Sequence, residues 1–297
     1  MAIFKGAGVA IVTPMYEDGK VNYDKLEELL EYQIAHSTDA IIICGTTGES
    51  STMTHGEHLK TIKFAIDKVN KRVPVIAGTG SNCTETAIMM SKEAASYGAD
   101  ALLIVTPYYN KATQKGLIAH YTAIAEAVPE IPVLLYNNPG RVGYTLSADL
   151  VEKLAHEVKN IVGMKDTSGD ITQTEEFIRR NADVGFKVFG GKDTLLYASL
   201  CIGAVGGVCT AGNFMPELIV DIYNKYVAGD LKGSLAAQYK LNPVRLAMDG
   251  ASFPVAAKDM AIMRGQAAGK PYLPNLPTPE GASYDKMKKE MEKAGLI

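Results

Sequence analysis

Short apolar runs recur along the chain at 8–14, 40–45, 74–78, 101–107, 132–137, 161–165, 186–190 and 207–210, each closing in small or polar residues. Runs this short, rich in Val and Ile, suit strands buried on both faces. Between them the apolar positions change to the helical period. The stretch 23–34, YDKLEELLEYQI, spaces its apolar residues three and four apart and carries acids toward its start, where a helix dipole favours them. Stretches 57–69, 84–97, 114–127 and 147–158 behave alike, 172–180 and 193–201 are shorter, and another opens near Met215. Strand alternating with helix eight times, at roughly thirty residues per unit, predicts an α/β chain folded as a (β/α)8 TIM barrel. The rival is a doubly wound open sheet, which usually has fewer strands and often a GxGxxG turn after the first. Here the first run ends in Thr13-Pro14-Met15 and no such turn follows. Beyond about residue 225 the alternation stops, and 232–248, 255–268 and 284–294 read as helices around a Pro-rich connection at 271–279. The expected organisation is a catalytic barrel over 1–225 and a C-terminal helical domain over 226–297 packed on it.

Composition narrows the function classes. The 297 residues include 30 Lys and Arg against 33 Asp and Glu, a formal charge of −3, with 47% apolar and 21% charged positions. That balance excludes a disordered chain. It also argues against nucleic acid as a partner, since phosphate binding needs clustered Lys and Arg. No segment reaches the ~18 apolar residues of a membrane helix, and the N-terminus lacks the apolar stretch of a signal peptide. The four cysteines, at 44, 83, 201 and 209, form no CxxC pair, so neither a zinc site nor a redox motif is expected. A reducing, cytoplasmic setting fits.

In a (β/α)8 barrel the chemistry sits at the C-terminal ends of the strands. Those positions carry no His and no pair of acids, which leaves a metal site or a glycosidase without candidates. His55 and His58 lack an evident third ligand and read as surface histidines at a helix start. Lys165 stands out because it closes the apolar run 161–164. A lysine at the end of a buried strand must pair with an acid, Asp166 or Glu49 being nearest to hand, or sit desolvated. A desolvated amine is a nucleophile able to form a Schiff base with a ketone or aldehyde. Thr46, Thr47, Tyr109 and Tyr136 close three other strands, and their hydroxyls can relay the protons that imine formation moves. Arg141 is placed to bind a substrate carboxylate or to form a surface ion pair. The Gly-rich turns at 45–48 and 190–191 can aim backbone N–H groups at an anion, and a phosphate site after strands seven and eight stays open.

The segments Gly45-Thr46-Thr47-Gly48-Glu49, Val105-Thr106-Pro107-Tyr108-Tyr109-Asn110, Tyr136-Asn137-x-Pro139-Gly140-Arg141 and Gly163-x-Lys165-Asp166 resemble the dihydrodipicolinate synthase family, within the N-acetylneuraminate lyase superfamily of class I aldolases. The likeness covers roughly residues 3 to 225. It implies a metal-free lyase with no cofactor, whose covalent imine forms on Lys165 with pyruvate. Tyr136 would pass protons through Thr47 and Tyr109, the latter reaching into a neighbouring subunit of a dimer of dimers. Thr46 and Thr47 would hold the pyruvate carboxylate, with Gly190 and Val208 close by. Arg141 would hold the carboxylate of L-aspartate 4-semialdehyde, giving 4-hydroxy-tetrahydrodipicolinate on the route to diaminopimelate and lysine. A feedback site for lysine would use His55, His58, Asn82 and Tyr108. The sequence departs from the family at 251–256 (ASFPVA for NPIPVK), at 166–170, at 190–193, and at Thr86, where the family has Glu. A related pyruvate-dependent aldolase or dehydratase acting on a sugar acid or another 2-keto acid is the alternative.

Overall fold

The computed structural model describes residues 3–297, so the first two residues of the expected 1–225 barrel lie outside the described residues. Eight parallel strands close into a barrel in sequence order. They are β1 (Gly6–Ala10), β2 (Ala40–Ile43), β3 (Val75–Gly78), β4 (Ala101–Val105), β5 (Val133–Asn137), β6 (Ile161–Asp166), β7 (Lys187–Gly190) and β8 (Gly206–Cys209). The connecting helices are α1 (Tyr23–Ala35), α2 (His55–Val69), α3 (Thr84–Ser96), α4 (Gln114–Ala127), a single turn α5 (Pro139–Val142), α6 (Ala148–Glu157), α7 (Ile171–Arg180), α8 (Leu196–Cys201) and α9 (Pro216–Val227). Three more follow: α10 (Leu231–Ala247), α11 (Val255–Met263) and α12 (Ala282–Lys293). Among the described residues no helix is long and apolar enough to cross a membrane.

Local signals set the helix starts. Asn22, Thr54, Thr113, Ser147, Asp170 and Asp230 each accept a backbone N–H from the first turn of the following helix. Such a cap contributes about 1 kcal/mol. The first apolar run is offset from its strand. It was expected at 8–14, but the ladder ends at Ala10. Ile11 to Pro14 stay buried beyond it: Ile11 still donates its N–H to Ile42 O of β2 at 3.2 Å, and Val12 donates to the Asn213 side chain at 2.9 Å.

Two apolar layers result. The larger fills the space between the strands and the outer helices. The smaller fills the lumen with Phe4, Ile42, Leu103, Leu134, Tyr136, Phe189 and Val208, among others. At its base Phe4 stacks on Phe189 with ring centroids 4.4 Å apart. Register decides which side chains enter the lumen. Along β5 and β6 the pairing steps from Val133↔Ile161 to Leu134↔Gly163, so Val162 is an inserted residue. Ile161 therefore faces the helices, while Gly163 and Lys165 face inward opposite Leu134 and Tyr136. A one-residue slip exchanges the faces of a strand, so the bulge is what puts Lys165 inside.

Candidate active site

Lys165 is 5% exposed. Neither acid that the sequence offers as its partner reaches it. The Asp166 carboxylate points outward, where it accepts from Asn137 Nδ2 at 2.9 Å, Ser168 Oγ at 2.8 Å and Thr174 Oγ1 at 2.5 Å. Glu49 is held by Lys258 of α11, 2.5 Å away, with both side chains 1% exposed. The Lys165 Nζ instead lies 4.6 Å from the ring centroid of Tyr136. Gly191 makes room for it, since a Cβ there would stand 2.9 Å from Lys165 Cε and 2.1 Å from Thr167 Oγ1.

Tyr136 is buried beside that amine, and Asn138 Nδ2 donates to its hydroxyl oxygen at 2.8 Å. Burial alone would push its phenol up. The Lys165 ammonium, with the Thr46 and Thr167 hydroxyls beside it, outweighs that and holds the phenol below its usual range. Thr47 is buried, and its hydroxyl shares a hydrogen bond of 3.2 Å with Thr210 Oγ1 at the end of β8. Gly190 ends β7 in register with Asp166, and Val208 lies in the lumen on β8. Asn138 and Thr210 were missed as site residues. The only trace of Asn138 in the sequence is its place two residues after Tyr136.

The turn after β8 is not open to phosphate. Thr210 and Ala211 donate their N–H groups to the Asp193 carboxylate at 3.1 and 2.9 Å, and Arg245 of α10 pairs with the same carboxylate at 3.1 Å. Within the glycine turns Gly48 N–H donates to Gly45 O and Gly191 N–H to Asp166 O.

Above the lumen opens a cavity of about 380 Å³, the size of a small-metabolite site. Thr46, Tyr136 and Arg141 line it from the barrel, and Phe253, Pro254 and Asn275 line it from the C-terminal segments. Arg141, carried on α5, is exposed and makes no ion pair among the described residues, which removes the surface-pair reading. Tyr109 departs from the single-cavity expectation. It is 90% exposed, does not line the cavity of its own chain, and holds a left-handed backbone with φ 72°.

The histidines also differ from expectation. His55 is exposed, but His58, expected on the surface, is buried because its face of α2 packs against the end of β3. Its Nε2 meets Gly78 O at 2.8 Å, and burial drives its imidazole down to about 4. Both histidines, Thr86 and Tyr108 line the cavity, whereas Asn82 is exposed outside it. Among the described residues no group of three or more His, Cys, Asp or Glu side chains is placed to hold a metal ion.

A (β/α)8 barrel that seats a lysine without an acid under a buried phenol defines the class: a lysine-dependent barrel lyase. The dihydrodipicolinate synthetase family model matches residues 3–294, and the chain belongs to that family. It is 48% identical to a 4-hydroxy-tetrahydrodipicolinate synthase of Lachnoclostridium phytofermentans over 100% of both chains. Among solved structures it resembles a chloride-inhibited dihydrodipicolinate synthase of Acinetobacter baumannii, solved with pyruvate, at TM-score 0.93 and 39% identity over 99% of each chain. It also resembles the DHDPS of Cyanidioschyzon merolae, solved with lysine bound, at TM-score 0.95 and 33% identity over 100% of each chain.

Proposed function

We propose that the protein condenses pyruvate with L-aspartate 4-semialdehyde to 4-hydroxy-tetrahydrodipicolinate, in lysine and diaminopimelate biosynthesis. The observation that carries this reading is Lys165, buried, without a carboxylate, against the Tyr136 ring. Its Nζ attacks the pyruvate C2, and the carbinolamine loses one water to give the imine. Loss of a C3 proton gives the enamine, whose C3 bonds to the aldehyde carbon, which becomes the hydroxyl-bearing carbon. The amine of the second substrate then displaces Lys165 at C2 and closes the ring.

In this scheme Tyr136 takes and returns protons, relayed through Thr47 and Tyr109. Thr46 and Thr47 bind the pyruvate carboxylate, Gly190 and Val208 bound the pyruvate, and Arg141 binds the aldehyde's carboxylate. The chemistry belongs to the barrel, 1–225, and the helical part, 226–297, closes the cavity wall. Tyr109 serves a neighbouring copy in a dimer, two of which pair. Its exposure on a left-handed backbone supports this, because such a conformation costs on the order of 1 kcal/mol or more and clusters at functional positions. His55, His58, Asn82 and Tyr108 are our candidate lysine-feedback residues. We place the enzyme in the cytoplasm, in keeping with its four free cysteines.

Borohydride reduction in the presence of pyruvate, followed by peptide mass spectrometry, is expected to place the adduct on Lys165, and the purified protein to consume pyruvate with aspartate semialdehyde. Turnover only with sugar-derived 2-keto acids would reject the substrate assignment, and an unmodified Lys165 would reject the chemistry. Tyr136→Phe keeps the ring over the amine and removes only the proton carrier. Its kcat is expected to fall by about 10²- to 10⁴-fold, and steady-state kinetics showing a loss of only a few fold would remove Tyr136 from the relay.

A further inference from the structure

Arg141 is an exposed side chain on a four-residue helix, α5, and makes no ion pair among the described residues. A long cation in that position has many rotamers and nothing electrostatic to choose among them. What it does have is a flat neighbour. Its guanidinium carbon lies 4.8 Å from the centroid of the Phe253 ring. Phe253 comes from the far end of the chain, in the segment just before α11. Both residues line the same cavity.

Stacking on a ring face fixes the plane of a guanidinium without using any of its five N–H donors. The donors therefore stay available for a carboxylate, and their fork already has an orientation when the ligand arrives. A bidentate contact depends on that orientation. An aliphatic residue at 253 fills similar space but offers no π face.

We propose that Phe253 is a positioning residue that sets the Arg141 guanidinium for the carboxylate of the aldehyde substrate, so that the C-terminal segment, not the barrel, tunes which second substrate is accepted. This inference rests on the reading of Arg141 given above. Phe253 takes no part in the imine step, and its loss leaves Lys165 and its neighbours in place.

The test compares wild type, Phe253→Leu, Phe253→Tyr, Arg141→Met and the Phe253→Leu/Arg141→Met double variant. In wild type, turnover with aspartate semialdehyde is the control; its absence would reject the functional reading itself. Phe253→Leu is expected to raise KM for the aldehyde by roughly 3- to 30-fold while leaving KM for pyruvate and the borohydride adduct on Lys165 unchanged. Phe253→Tyr restores KM because it keeps the ring. In the Arg141→Met background the leucine change has no further effect. An unchanged aldehyde KM in Phe253→Leu would overturn the proposal. So would an equal rise in both KM values, or the same rise with Arg141 already removed. Should the leucine variant fail to trap pyruvate, Phe253→Met, which keeps the bulk but not the ring face, is read by the same criteria.

Discussion

Replacing Lys165 with Arg or Met is expected to abolish turnover, by roughly 10³- to 10⁶-fold, as removal of a covalent nucleophile does. Arg keeps the positive charge and at least the reach, but a guanidinium does not attack a ketone. If Lys165 served only as a buried cation, Arg would substitute for it. The prediction has a second half. Among the described residues no carboxylate pairs with Lys165, since Asp166 is bonded to Asn137, Ser168 and Thr174 and Glu49 to Lys258. Removing an unpaired buried charge relieves a desolvation cost, so Lys165→Met is expected to unfold at the wild-type temperature or above it. Activity assays, borohydride trapping and thermal unfolding check the two halves together. A Met variant that is both active and less stable would mean that the amine is structural.

The Glu49–Lys258 pair is expected to behave in the opposite way. Both side chains are 1% exposed and 2.5 Å apart. Glu49 Oε2 also accepts from Tyr272 N–H at 2.7 Å, and Lys258 Nζ donates to Lys270 O at 2.5 Å. Glu49 follows Thr46 and Thr47 in the loop after β2, while its partners all lie in the C-terminal segments. The pair therefore pins the loop that carries the two site threonines to the helical extension. Deleting one member strands a charge in the interior, which costs about 3–5 kcal/mol. Glu49→Gln and Lys258→Met are each expected to lose that much in chemical denaturation. The double variant is expected to lose clearly less than the sum, because no charge is then left unpaired. Single-variant losses below about 1 kcal/mol would show that water or rearrangement satisfies the remaining partner.

Much of this was legible in the chain, and the residues show why. Short apolar runs between amphipathic stretches announce a closed parallel barrel, because every strand is covered on both faces and must be apolar throughout. Lys165 is legible because a charge at the end of such a run has no cheap explanation. What resisted reading depends on geometry that composition does not encode. Ile11 to Pro14 are buried like a strand but lie beyond the ladder, where Val12 bonds to the Asn213 side chain. The Val162 bulge sets the face of Lys165, yet Val162 looks like any strand residue. Asp193 fills the anion-binding turn after β8 through backbone N–H groups that carry no sequence signature. The true partner of Glu49 stands in the last quarter of the chain. His58 looked like a surface residue because helix periodicity alone does not say what packs against the start of α2.

The Phe4–Phe189 stack at the base of the lumen has a consequence for traffic. With Phe4, Phe189 and other apolar side chains filling the lumen, and barrel interiors being packed cores and not pores, the site is a cul-de-sac, not a corridor. On the proposed reading, the water expelled as the imine forms must leave by the doorway through which the aldehyde later enters. Pyruvate, seated deepest, has to be first in the queue, and the larger product has to back out before the next pyruvate is admitted. The order of events is then imposed by the architecture of the room as much as by the chemistry at its far wall.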